Sequence, residues 1–87
     1  MQICIITFTS QTAAYKFRKM AQNSKIAVKI IQTPKEISRG GYSYGARVNR
    51  LDVSKIEALC HENDISYSRI FAEYTDTNGR KSYEQIG

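Results

Sequence analysis

Two cysteines and one histidine are the side chains of this 87-residue chain that could act as a nucleophile and its base. Cys60 and His61 are adjacent, but neighbouring side chains on a helix point about 100° apart, so the pair is poorly placed to act together. Cys60 belongs to the apolar stripe of a predicted helix, and Cys4 lies in an apolar strand. We therefore expect both thiols to be buried and inert. No pair of carboxylates is placed for acid–base work, so the sequence assigns no catalytic residue and favours a protein that is not an enzyme.

Metal, cofactor and membrane sites are not indicated by the sequence. One histidine and two cysteines that are far apart make poor zinc ligands, and no disulfide framework is indicated. We expect no metal and no cofactor. No apolar run approaches the roughly 20 residues of a membrane helix, and the chain reads as cytoplasmic.

A glycine-rich stretch, SRGGYSYGAR at 38–47, could bind nucleic acid, hold an anion or turn a hairpin. Gly40 and Gly41 lack the spacing of a nucleotide-binding loop. The stretch occurs once inside a folded domain, whereas RNA-binding segments of this composition normally repeat in disordered chains. We interpret it as a loop that faces a ligand or a partner.

The positive charge is concentrated in one half of the chain. Residues 10–50 have a formal charge of +8, and residues 51–87 have −3, which together give the net charge of +5. Such an asymmetry indicates either an anionic partner for the first half or a set of solvated lysines and arginines.

The hydrophobic pattern predicts strands and helices in alternation. Strands are expected at 2–8, 26–32, 46–51 and 67–74 because these runs are apolar, β-branched or aromatic. A first helix follows Ser10 as its N-cap and ends near Asn23. A second helix begins at Asp52 or Ser54, where Ser54 and Glu57 fit a capping box.

This order of elements is that of a ferredoxin-like βαββαβ fold. It predicts an α/β (α+β) domain at 1–74, with a four-stranded antiparallel sheet in the order 4-1-3-2 and both helices on one face. Residues 75–87 form a C-terminal extension, which the Asn78-Gly79 turn signal could fold back as an extra hairpin strand.

The face of the sheet without helices carries four apolar side chains together with three cations. Such a face favours cover from a second copy or a partner, so a homodimer is expected. The residues are Ile3, Ile5, Ile31 and Phe71, with Lys29, Arg47 and Arg69.

The same topology predicts where a ligand would bind. The connection between the second and third strands lies at the end of the sheet where the first strand ends and the first helix begins. Free N–H groups at a helix start favour anions, and the basic connection would join them. The predicted anion- or partner-binding residues are Ser10, Gln11, Lys35, Arg39, Gly40, Gly41, Tyr42 and Arg47.

Three stretches of the chain resemble one family: IITFTSQTAAYKFRKMAQNSKIAVKIIQTPKEIS, then GARV, then ISYSRIFAEY. They resemble the putative Se/S carrier protein-like family of small bacterial domains over residues 3–74. The most specific parts lie at 6–14 and 33–38. In that family a segment like TPKEIS leads into a cysteine, which the family name treats as the carrier of sulfur or selenium. In this chain the corresponding position falls at Gly41 or Tyr42.

The resemblance therefore implies the fold and the place of the site, but not thiol chemistry. The function it implies is the non-catalytic binding of a small anion, or of a protein partner in sulfur or selenium metabolism. One alternative is a nucleic-acid-binding module that uses the basic half of the chain. Another is a regulatory domain for a small ligand.

Overall fold

The chain folds as a mixed α+β domain with a five-stranded antiparallel sheet and two helices. The structure is a computed structural model that describes residues 2–38 and 44–87. The elements in chain order are β1 (Ile3–Phe8), α1 (Gln11–Asn23), β2 (Val28–Gln32), β3 (Tyr44–Asn49), a 3₁₀ turn (Arg50–Asp52), α2 (Val53–Glu62), β4 (Ile70–Thr75) and β5 (Lys81–Gln85).

The strands lie in the order β2-β3-β1-β4-β5. The first four follow the predicted order, but the sheet has five strands, so the predicted count of four was wrong. Both helices pack on one face, because their apolar stripes share a single core with the side chains that β1, β3 and β4 point to that side. In the described part of the chain, neither helix is long and apolar enough to cross a membrane.

The fifth strand is added by a turn that Asp76 organises. Its carboxylate accepts hydrogen bonds from the backbone N–H groups of Asn78 and Arg80, both at 2.9 Å. Gly79 adopts a φ of 78°, which glycine reaches without a steric penalty. The turn reverses the chain so that β5 pairs with β4. The Asn78-Gly79 signal therefore does mark a hairpin.

The strand bounds differ from the predicted ranges, and for β3 and β4 the reasons are local. The side chain of Asn49 accepts a hydrogen bond from the N–H of Leu51, which caps the 3₁₀ turn and ends β3 there. At the start of β4, the N–H of Arg69 donates to the hydroxyl of Thr7 at 3.0 Å. The register of β4 with β1 therefore begins at Ile70.

A side-chain hydrogen bond caps the start of α1 but not the start of α2. The hydroxyl of Ser10 accepts a hydrogen bond from the N–H of Ala13, as its N-cap position predicts. Helix α2 begins at Val53, directly after the 3₁₀ turn, and its N-cap Asp52 makes no side-chain cap hydrogen bond. The predicted capping box between Ser54 and Glu57 does not form, because Ser54 already lies inside the helix.

Both helices end in the same motif. Lys25 and Asp64 follow the two C-caps with φ values of 59° and 54°. Beyond them, the N–H of Ile26 donates to the carbonyl of Ala21, and the N–H of Ile65 donates to that of Cys60, both at 2.9 Å. These are Schellman bonds, which satisfy carbonyls that the helix leaves open. The isoleucines are buried, so each helix end is fixed to the core.

The second face of the sheet is covered by the chain itself. Ile5 and Phe71 point to this face, as predicted, and Ile37 from the segment 33–38 packs against them. Tyr83 of β5 adds to the same cluster. The segment is held in a turn by a hydrogen bond from the N–H of Ile37 to the carbonyl of Pro34, at 3.0 Å.

This cover corrects the premise that the face is open. Ile5 is fully buried, and Phe71 is 8% exposed. The apolar side chains therefore do not require a second copy of the chain, and dimerisation stays a prediction.

Candidate functional site

Both cysteines of the chain are buried. Cys4 points from β1 into the core between the sheet and the helices, and Cys60 lies on the inner stripe of α2. Burial raises the pKa of Cys4, although the nearby Arg50 lowers it to some extent. Burial and then the charge of Glu57 raise the pKa of Cys60 to about 11. A carrier of sulfur or selenium needs a reachable thiolate, and neither thiol of this chain provides one.

The raised pKa of Cys60 predicts a loss of stability in base. In the unfolded chain the thiol ionises near its ordinary pKa of 9.0, and in the folded chain near 11. Between those values the unfolded state releases the proton more readily, so the free energy of unfolding falls as pH rises from about 9 to 11. The difference between these two pKa values corresponds to a loss on the order of 2–3 kcal/mol. The stability is retained in full below about pH 9, and the loss is complete above about pH 11.

Urea denaturation at several pH values would measure this, with Cys60→Ala as the control. Between about pH 9 and 11, the free energy of unfolding of Cys60→Ala should fall less steeply than that of the unchanged protein, because the variant has no thiol to ionise at this position. If the two free energies fell equally with pH, Cys60 would not be a buried, protonated thiol.

A basic groove lies on the face of the sheet opposite the helices, and we call it the Arg47 groove. Its centre is the carboxylate of Glu73, whose side chain is 6% exposed. The guanidinium of Arg47 contacts this carboxylate at 3.1 Å, and the ammonium of Lys81 lies 3.9 Å away. The side chains of Arg47 and Lys81 are 33% and 48% exposed, so both cations remain open to solvent.

The register of the sheet brings these side chains together. Arg47 is paired with Ile5, and Glu73 is paired with Ile3, so the two charged residues flank β1 from either side. Lys29 lies opposite Arg47 on β2. Because the side chains of paired residues point to the same face, all of these lie on the side without helices.

The groove encloses a volume of about 600 Å³. Its wall consists of Gln2, Ile3, Arg47, Glu73, Tyr74, Thr75 and Lys81. A second cavity of about 320 Å³ adjoins it through Ile3 and Arg47 and reaches Lys29 and Asp52. Nearby, burial and then the charge of Glu73 raise the pKa of the Tyr83 hydroxyl, so this side chain stays a neutral hydrogen-bond donor. Arg47 is thus the cation that both cavities share.

Among the predicted binding residues that the structure describes, Arg47 lies apart from Ser10 and Gln11. Ser10 and Gln11 lie at the start of α1, where the Ser10 hydroxyl is used as the N-cap. Lys35 is exposed on the 33–38 segment. Arg47 contacts Glu73, which pairs with Ile3 near the start of β1, whereas Ser10 follows the end of β1. Arg39, Gly40, Gly41 and Tyr42 lie outside the described residues. Anion binding at the start of α1 stays a prediction.

Glu73 and Lys81 were missed by the reasoning from sequence. Glu73 directly follows three buried residues in IFAEYT, and a carboxylate at such a position in a strand indicates a partner of opposite charge. Lys81 could be placed only after β5 was assigned to the sheet. The strand register was the signal that could have paired Glu73 with Arg47.

Close packing explains why residue 45, at the end of the predicted loop, is a glycine. A Cβ atom there would lie 3.2 Å from Cγ2 of Ile5 and 3.5 Å from the hydroxyl of Thr33. The absence of a side chain lets the 33–38 segment approach the sheet closely. The Thr33 hydroxyl oxygen is itself buried and has no hydrogen-bond partner among the described residues.

The fold and the site define a small α+β domain with buried thiols and a basic groove on its sheet. The chain belongs to the putative Se/S carrier protein-like family, whose model matches residues 3–72. No curated protein and no solved structure matched the chain. The resemblance predicted from the sequence is thereby confirmed at the level of the family.

Proposed function

We propose that this chain binds a small oxyanion non-covalently in the Arg47 groove and does not carry sulfur or selenium on a thiol. The observation that supports this is the arrangement of Arg47 and Lys81 around the buried carboxylate of Glu73. The description of the family names selenium and sulfur, so selenite and sulfate are the oxyanions chosen as probes.

The charges in the groove favour an anion. Glu73 neutralises one of the two cations that contact it, and Lys29 on the neighbouring strand adds a further positive charge. Asp52 lines the adjoining cavity together with Lys29, so the five charged side chains of the groove and that cavity keep a formal charge of +1. Partial exposure of Arg47 lets an anion approach without first displacing protein atoms.

Arg47 is positioned to recognise an oxyanion by geometry as well as by charge. Its guanidinium has five N–H donors, and Glu73 accepts one hydrogen bond from them at 3.1 Å. A planar fork of donors matches two oxygens of a tetrahedral or pyramidal anion. The contact with Glu73 holds the side chain in one orientation, which lowers the entropy lost on binding.

Calorimetric titration with sulfate and selenite, at constant ionic strength set with chloride, would test the proposal. We expect a Kd on the order of 1 mM, which corresponds to about −4 kcal/mol. Arg47→Gln should weaken binding roughly tenfold or more, because a hydrogen bond to a charged group contributes about 1.5–3 kcal/mol.

Two further variants separate this site from general charge effects. Lys55→Gln removes an exposed cation on α2 and should leave the affinity unchanged. Glu73→Gln should strengthen binding, because it removes the competing negative charge while the amide oxygen can still accept the hydrogen bond that orients Arg47. Equal affinities for Arg47→Gln and Lys55→Gln would contradict the proposal.

A further inference from the structure

A second basic surface lies on the helix side of the molecule, away from the Arg47 groove. It is a shallow cavity of about 160 Å³ beside the C-terminal half of α1. The lining residues are Lys16, Lys19, Met20, Asn23, Asn63 and Ile65. We call it the α1 cavity.

The α1 cavity combines cations, amides and an apolar floor. Met20 and Ile65 are 8% and 6% exposed and form the floor as part of the core. Lys16 and Lys19 are both exposed at its edge. The small exposed parts of Met20 and Ile65 lie next to two positive charges that could contact a phosphate.

The two lysines are not neutralised by the protein. Helix α1, from Gln11 to Asn23, contains no aspartate or glutamate. The ion pairs found within residues 2–38 and 44–87 both involve Glu73, on the other face of the sheet. Lys16 and Lys19 thus make no ion pair in the described part of the chain, and the acidic residues nearest to the lining in sequence are Glu62 and Asp64, on either side of Asn63.

The two asparagines supply hydrogen-bonding groups at fixed positions. The side-chain N–H₂ of Asn63 donates to the carbonyl of Leu59 at 2.8 Å, which fixes the amide at the end of α2. Its oxygen can then accept a hydrogen bond from a ligand, such as the amino group of a base. Asn23, the last residue of α1, is exposed, and its side-chain amide can both donate and accept hydrogen bonds.

We propose that the α1 cavity binds an unpaired nucleotide of a single-stranded nucleic acid. The lysines contact the phosphates, and the base lies over Met20 and Ile65 between the two amides. A base in a duplex is stacked and paired, and extracting it costs a few kcal/mol, so a single strand is the favoured ligand. This site is independent of the oxyanion site proposed above.

Fluorescence anisotropy with a labelled single-stranded oligonucleotide tests the proposal. A length of about 12 nucleotides lies within the site sizes of proteins that bind single strands without sequence preference. We expect a Kd on the order of 10⁻⁴–10⁻⁶ M at physiological salt. Two phosphate contacts predict a slope of about −1.4 for the logarithm of the association constant against the logarithm of salt concentration. A duplex of the same length should bind more weakly.

The decisive comparison uses two double variants with the same loss of charge. Lys16→Gln with Lys19→Gln should weaken binding about tenfold or more and remove most of the salt slope. Arg18→Gln with Arg80→Gln removes two other exposed cations and should retain most of the affinity.

Three results would overturn the proposal. They are the absence of binding by the unchanged protein at low salt, equal losses in the two double variants, and duplex binding as tight as that of the single strand. The last result would show contact with backbone charge alone, without a nucleotide in the α1 cavity.

Discussion

Replacing Ile5 by alanine should lower the free energy of unfolding by about 2–5 kcal/mol, the range for a large aliphatic side chain in a packed core. Ile5 is fully buried in a central strand, where Ile37 and Phe71 pack against it. The loss combines the transfer of apolar atoms from the core with the cavity left behind. It should be measurable by urea denaturation.

Two controls show what covers Ile5. Ile37→Ala, on the 33–38 segment, should also destabilise the protein, by about 2 kcal/mol or more. Ile86→Ala, at a side chain that is 40% exposed, should change stability by less than about 1 kcal/mol. The effects should not depend on protein concentration, because the cover comes from the same chain. Stability that rises with protein concentration would instead indicate cover by a second copy.

Native Cys60 should react with a thiol reagent at least about 10³-fold more slowly than Cys60 in the denatured chain. The thiol is 1% exposed and its pKa is raised to about 11, so reaction requires both opening of the structure and ionisation. A stability of about 5 kcal/mol or more limits the open fraction to below about 10⁻³.

Stopped-flow measurement with a chromogenic disulfide, with and without denaturant, gives this ratio directly. Cys4, which is also fully buried, should behave in the same way. Cys60→Ala leaves Cys4 as the single thiol and separates the two rates. Fast modification of either thiol in the native protein would show that a reactive sulfur is available after all.

The sequence predicted the elements that depend on local patterns. The apolar stripe of α1 and the cap at Ser10 are local, and both are found in the structure. The order of the first four strands followed from their alternation with helices, because few topologies connect such elements. Each of these predictions needed only neighbouring residues and general rules of connection.

The fifth strand has a weaker sequence signal. In KSYEQ only Tyr83 is apolar, because β5 is an edge strand whose side chains are mostly exposed. The cover of the second face depends on Ile37 alone within the 33–38 segment, and a single apolar residue gives no periodic signal. For this reason a face that looked open in the sequence proved to be covered.

The site was only partly predictable. Arg47 was identified as a candidate, but its partner Glu73 lies 26 residues away in sequence. The two meet because the register places both beside β1, and reasoning from sequence gives strand register less reliably than strand order. The cysteines were easier, since their apolar neighbours already indicated burial.

Oxyanion binding by a chain without cysteine tests the central claim most directly. The variant with Cys4→Ala and Cys60→Ala should be titrated with selenite beside Arg47→Gln, after circular dichroism has shown that both are folded. We predict that the cysteine-free variant binds selenite as the unchanged protein does, and that Arg47→Gln binds it about tenfold or more weakly. Loss of selenite binding in the folded cysteine-free variant, with binding retained in Arg47→Gln, would contradict the account.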